Sequence, residues 1–180
     1  MKKIAIAAAL GGLLLAGCET TSSRPYTPST QNIIAFQKAV PAGTKVSVAD
    51  FKAADDVDVE PSCRLLGALE VAPGKTPVEF MQDAFRDELF RADVYSEDGT
   101  PLMATITELK PDSVGTGSWV IGLNVASPKN PTGIDVRTDY SFKTSYTAVR
   151  ACQNVIDAFT PAVQETIGKV IADPGFRSLL

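Results

Sequence analysis

The chain has 180 residues, which is enough for one globular domain and too few for two of ordinary size. Its 21 acidic residues outnumber its 17 basic residues, and this balance disfavours nucleic acid as a partner. The sequence contains no histidine. It therefore cannot form a Ser-His-Asp or Cys-His catalytic arrangement, and zinc binding is not expected.

The amino terminus has the pattern of a secretory signal. Lys2 and Lys3 form a short basic region, and an apolar run covers residues 4–16. This run is too short to span a membrane as a helix. We therefore predict that residues 1–17 are a signal peptide and that they take no part in the fold.

The signal ends in Leu15-Ala16-Gly17-Cys18, which resembles the lipobox of bacterial lipoproteins. In that family the cysteine thiol receives a diacylglyceryl group, the preceding peptide bond is cut, and the new amine is usually acylated. The resemblance implies that Cys18 carries fatty acids such as palmitate and anchors the chain to a membrane. Because Glu19 replaces the aspartate that favours inner-membrane retention in such lipoproteins, the outer membrane is expected, with the domain on its periplasmic side.

Residues 18–43 are predicted to contain the lipidated cysteine and a flexible tether, because serine, threonine and proline are frequent there. Ile33, Ile34 and Phe36 are expected to dock the tether onto the domain. The remaining residues, 44–180, are predicted to form a single domain.

Alternating apolar side chains predict strands at residues 45–51 and 63–71. The acidic residues 55–60 between them lack the glycine and the distal glutamate of an EF-hand, so a solvated loop is favoured over a calcium site. A Thr-Pro-Val-Glu capping box, with proline at the first helical position, begins a predicted helix at residues 77–92.

Three further strands are predicted at residues 102–110, 118–127 and 134–148. The last has one apolar and one polar face, as in an antiparallel sheet with one covered side. A final helix is predicted at residues 152–170. Its apolar stripe keeps phase across Pro161, which favours one kinked helix over two abutting helices.

These elements predict an α+β fold, with an antiparallel four- to five-stranded sheet and two helices packed on one face. Their order over about residues 44–172 is similar to that of small envelope lipoproteins: the YajG-type proteins, the auxiliary lipoproteins of ABC-type lipid transporters, and the LptE family of lipopolysaccharide assembly. The resemblance lies in element order and the lipobox and includes no shared sequence motif, so it implies no functional residues.

If Cys18 carries lipid, Cys63 and Cys152 remain as two thiols in an exported chain, which predicts a disulfide between them. Their wide separation favours a structural bridge over a redox pair. Closing so long a loop contributes on the order of 4 kcal/mol in the chain-entropy model. Neither a metal nor a cofactor is predicted.

The sequence predicts a binding role and not catalysis, although a two-carboxylate mechanism stays open in principle. One function is a non-catalytic accessory or scaffold that binds another envelope protein. The alternative is the binding of a small amphipathic ligand, such as a lipid, between helices and sheet. Large apolar side chains predict a filled core, which favours protein binding. Candidate binding residues on the polar face of the last strand are Arg137, Asp139 and Lys143.

The lipid anchor is testable by replacing Cys18 with serine. In cells fed a labelled fatty acid, we expect label on the wild-type chain and none on Cys18→Ser, because the acceptor thiol is gone. The double variant Cys63→Ser, Cys152→Ser is the control and should keep its label. Label on the Cys18→Ser chain would contradict lipidation at this residue.

Overall fold

The computed structural model of the chain describes residues 23–180, so the predicted signal peptide and Cys18 lie outside the described residues. No helix within 23–180 is both long and apolar enough to cross a membrane. In chain order the elements are α1 (Thr30–Ala39), β1 (Val46–Ala53), α2 (Pro77–Arg91), β2 (Thr100–Asp112), β3 (Gly117–Ser127), β4 (Asn130–Phe142), α3 (Ala148–Ala172) and a short 3-10 helix (Phe176–Leu179).

The four strands form one sheet in the order β1-β2-β3-β4. β1 pairs with β2 in parallel, whereas β2, β3 and β4 form an antiparallel meander. The α+β class and the four strands are as predicted, but the sheet is mixed and not purely antiparallel. The reason is that α2 connects two neighbouring strands, and a helical crossover returns the chain to the end where β1 began.

The predicted strand at residues 63–71 is wrong. The backbone turns there, because Arg64 and Gly67 adopt positive φ angles of 52° and 91°. The Cys63 amide then donates to the Gly67 carbonyl at 3.0 Å, and a single bridge pairs Ser62 with Ala68. The apolar alternation in this stretch was misleading, since Leu65 is fully exposed.

α2 and α3 form as the sequence predicts. The capping box of α2 is complete, because the Thr76 hydroxyl accepts from the Glu79 amide at 3.2 Å and the Glu79 carboxylate accepts from the Thr76 amide at 2.8 Å. α3 continues through Pro161 as one helix. α2 packs on β1 and α3 packs on β3 and β4, so both helices bury their apolar faces against the sheet.

A third helix, α1, occupies part of the segment that was predicted to be a flexible tether. Ser29 caps it by accepting a hydrogen bond from the Asn32 amide at 3.3 Å. Phe36 is fully buried and its ring packs 6.0 Å from that of Phe176. The segment therefore docks through a helix, which lies against α2 and α3. Phe36 and half-buried Ile33 face the core, whereas Ile34, which was also expected to dock, is 44% exposed.

Aromatic side chains fill the space between the helices and the sheet. The ring of Trp119 on β3 lies 4.8 Å from that of Phe159 on α3, and Phe159 lies 5.2 Å from Phe80 on α2. The Trp119 indole donates to the carbonyl of Val155 at 2.7 Å, so its buried N–H is satisfied.

The predicted disulfide is confirmed. Cys63 and Cys152 are bonded, with their Cα atoms 5.7 Å apart. Both residues are buried, and the bond ties the loop after β1 to the first turns of α3.

Glu88 on α2 is a fully buried carboxyl. It binds the segment that precedes α1, residues 23–29, here called the arm. Its Oε1 accepts hydrogen bonds from the Tyr26 hydroxyl and from the Ser29 amide, while Oε2 has no partner among residues 23–180. Burial raises the pKa of Glu88, because the charged form loses its hydration, and the hydrogen bonds from Tyr26 and Ser29 act in the opposite direction.

Glu88→Gln keeps the acceptor oxygen and removes the ionisable group. Because the pKa of Glu88 is higher in the folded than in the unfolded chain, this carboxyl favours folding below its unfolded pKa, and that contribution is lost as pH rises through the folded pKa. We therefore expect the stability of Glu88→Gln relative to wild type to increase with pH, measured by urea unfolding between about pH 4 and about pH 8.

The control for this series is Glu79→Gln. Hydrogen bonds from the amide and hydroxyl of Thr76 lower the pKa of Glu79, so its contribution is present at neutral pH and disappears as pH falls through its folded pKa. The stability of Glu79→Gln relative to wild type should decrease with rising pH. A difference between Glu88→Gln and wild type that does not change with pH contradicts the raised pKa.

Candidate functional site

The helices leave one face of the sheet uncovered within residues 23–180. α2 and α3 contact each other through Phe80 and Phe159, so they share one side of the sheet, and α1 packs on them. The opposite side, here called the outer face, carries side chains that follow the strand register: Thr105, Glu108, Lys110, Val120, Gly122, Asn124, Asp135, Arg137 and Asp139.

A row of paired charges crosses the outer face. Glu108 on β2 accepts from the Arg137 guanidinium on β4 at 2.9 Å and from the Lys110 ammonium at 3.0 Å. These hydrogen bonds, that of Lys110 first, hold the pKa of Glu108 below its usual range. The Arg137 side chain also lies 3.8 Å from the carboxylate of Asp139. The positions of these charges are therefore fixed relative to one another by contacts within the chain.

Gly122 allows this row to form. It stands on β3 between Glu108 and Arg137, opposite both in the register. A Cβ atom there would lie 2.5 Å from the Thr107 hydroxyl and 3.0 Å from Cβ of Glu108. β2 also has a register shift between Ile106 and Glu108, a bulge that places Glu108 opposite Gly122. This bulge could not be predicted from the sequence, because alternation of apolar residues alone does not reveal an inserted residue.

The three residues proposed from the sequence do not form one cluster. Arg137 and Asp139 lie on the outer face as expected. Lys143 follows the end of β4 and lines a different surface, because the chain leaves the sheet after Phe142. The predicted strand at residues 134–148 is therefore too long at its carboxyl end.

That different surface, here called the loop end, is built from the turns at residues 63–67, 113–116 and 143–147. Arg64 joins these turns. Its guanidinium donates to the Ser113 carbonyl at 2.8 Å and to the carbonyls of Ser145 and Tyr146, each at 3.2 Å. The planar guanidinium can reach several acceptors at once, which a lysine cannot do in the same way.

Large apolar side chains project from the loop end. Leu65 and Tyr146 are fully exposed, and Leu66 and Val114 are more than half exposed. An open groove of about 640 Å³ runs between residues 114–116 and 142–146. This surface was not predicted from the sequence because its residues lie in turns, and the adjacent leucines between Cys63 and Gly67 are its one local signal.

Neither surface has the composition of a metal site. No group of three or more metal-binding side chains occurs in the part of the chain from residue 23 onward. The outer face offers fixed charges of both signs, and the loop end offers apolar side chains on a rigid support. Both arrangements suit recognition of another surface.

No protein-family model matches the sequence, and no curated protein matches it. Among solved structures, the chain is similar to a Xanthomonas campestris protein, XCC0632, described as DUF330. The two share 14% identity over 84% of this chain and 92% of that chain, with a TM-score of 0.49.

We predict that Arg64→Lys loosens the loop end. The ammonium cannot maintain the hydrogen bonds to all three carbonyls, so amide hydrogen exchange should become faster in residues 113–116 and 143–147 while the sheet stays protected. Arg150→Lys, an exposed change in the first turn of α3, is the control and should leave exchange unchanged. Equal exchange in Arg64→Lys and wild type would show that Arg64 does not hold these turns.

Proposed function

We propose that the protein is a lipid-anchored lipoprotein on the periplasmic side of the outer membrane. There it is a non-catalytic accessory or scaffold that binds another envelope protein through its outer face. The observation that carries this proposal is the uncovered outer face, whose charges are paired in a fixed row. A lipid on Cys18 would keep this face close to other envelope proteins and raise their effective concentration.

The outer face suits protein recognition on physical grounds. Its charged side chains stand on paired strands, so their backbones are already ordered and binding costs less conformational entropy. Positive and negative groups alternate along the row, which favours a partner of complementary pattern over a uniformly charged polymer. Half-buried Val120 and Asn124 lie among the charges and offer less polar contacts.

The alternative, an amphipathic ligand held between helices and sheet, has less support. Trp119, Phe159 and Phe80 are fully or almost fully buried and occupy the space where such a ligand would lie. A ligand there would have to displace these rings and give up their packing.

Charge reversal at Arg137 tests the outer face. Arg137→Glu places a carboxylate beside Glu108 and Asp139, so the pattern of the row is inverted locally and binding of a complementary protein should fall at least tenfold. Arg91→Glu on α2 is a closely matched control. Its side chain is 54% exposed against 56% for Arg137, and each arginine donates through Nε to one carboxylate at 2.9 Å.

The measurement is quantitative co-purification from detergent-solubilised envelopes, with circular dichroism to confirm that both variants fold. We expect Arg137→Glu to lose partners that wild type and Arg91→Glu retain. Equal recovery with both variants would show that the outer face is not the binding surface.

A further inference from the structure

The exposed apolar side chains of this protein are concentrated at the loop end. Seven large apolar side chains are exposed within residues 23–180, and four of them are at the loop end: Leu65, Leu66, Val114 and Tyr146. Single exposed apolar residues are ordinary on a protein surface, but a cluster indicates a contact site.

The cluster is held on a rigid support. The Cys63–Cys152 disulfide holds the turn that carries Leu65 and Leu66 to α3. The Arg64 guanidinium holds the same turn to the loop after β2, by donating to the Ser113 carbonyl. Arg64 itself adopts a left-handed backbone conformation, with φ at 52°, which costs free energy and persists only where neighbouring contacts enforce it. The exposed leucines are therefore presented by a fixed turn.

The first described residues, before α1, lie along α3 near the turn that carries Leu66. Gln164 on α3 donates to the Thr27 carbonyl at 2.6 Å, and earlier in the chain Arg24 lines a cleft with Ile156. From Thr27 back to Arg24, this segment therefore runs along α3 in the direction of the first turn of α3. Ile156 also lines the cleft that contains Leu66, so the start of the arm and the loop end are neighbours.

The distance from this point to the proposed lipid is short. Cys18 precedes Ser23 by five residues, and five residues span at most about 18 Å when fully extended. A lipid on Cys18 would hold the membrane surface within that distance of Ser23. The chain that follows Ser23 borders the same part of α3 as the turn of Leu66. The amide of Val46 donates to the carbonyl of Val94 at 2.9 Å, and Val46 pairs with Thr100 at the opposite end of the sheet from the loop end.

We infer that the loop end is a membrane-contact surface, in which Leu65, Leu66, Val114 and Tyr146 enter the boundary between lipid headgroups and acyl chains. The inference rests on the proposed lipidation of Cys18. Leucine and valine gain from leaving water, and tyrosine combines an apolar ring with a hydroxyl that can stay among the headgroups. Exposed Lys143 lines the groove with Val114 and Tyr146 and is compatible with phosphate groups.

The test uses the lipidated protein in vesicles of phosphatidylethanolamine and phosphatidylglycerol. An environment-sensitive fluorophore is attached at Leu65→Cys or, as the matched control, at Phe90→Cys. Phe90 is also an exposed apolar residue, 69% accessible, but lies at the end of α2 far from the loop end. We expect a blue shift and quenching by brominated lipids at position 65 and neither effect at position 90.

Flotation of the vesicles distinguishes failure of the lipid anchor from failure of the membrane contact. Protein that floats without a blue shift at position 65, or with equal shifts at both positions, overturns the membrane contact and leaves the anchor intact. Protein that does not float overturns the anchor and the inference together. A blue shift at position 65 without vesicles, growing with protein concentration, would assign the cluster to contact between two copies of the chain and would also overturn the inference.

Discussion

Two amphipathic helices, α2 and α3, bury their apolar faces against one side of a four-stranded sheet. This packing determines which side of the sheet is apolar and which side is exposed. Trp119 and Phe159 meet at its centre. Because the helices cover only one side, the strands need apolar side chains only on that side. The other side is free to carry the charged row of Glu108, Lys110 and Arg137. The outer face is thus a consequence of how the core is built.

The same packing supports the loop end. Cys152 lies near the start of α3, so the position of α3 on the sheet also sets the position of the turn bonded to it through Cys63. In the proposed arrangement the loop end rests on the membrane and the strands point toward it. The outer face would then be directed sideways along the membrane surface, where a neighbouring envelope protein can reach it.

Part of this fold could be predicted from the sequence, for identifiable reasons. The helix at residues 77–92 carried both a capping box and an apolar stripe, and the disulfide followed from two thiols in a chain that is predicted to be exported. The strand at residues 63–71 was wrong because its alternation lies in a turn, where Arg64 adopts a positive φ. α1 was missed because its capping residue, Ser29, stands among other serines, threonines and prolines that resemble a linker.

The candidate site was predicted less completely than the fold. Alternation along β4 correctly placed Arg137 and Asp139 on the polar face. The salt bridge to Glu108 depends on a bulge in β2 and on the absence of a side chain at Gly122, and both depend on how strands pair. The loop end depends on three turns that are distant in sequence and meet at Arg64. Local sequence patterns do not encode such contacts.

Site-specific photo-crosslinking in living cells tests most directly whether the outer face binds a protein. A photoreactive amino acid would replace Lys110 on the outer face or, for comparison, Glu165 on the exposed side of α3; both are exposed in the chain alone. If the outer face binds a protein, we expect a discrete adduct of higher mass from position 110 and none from position 165. The absence of an adduct at position 110, or the same adducts at both positions, would contradict binding through the outer face.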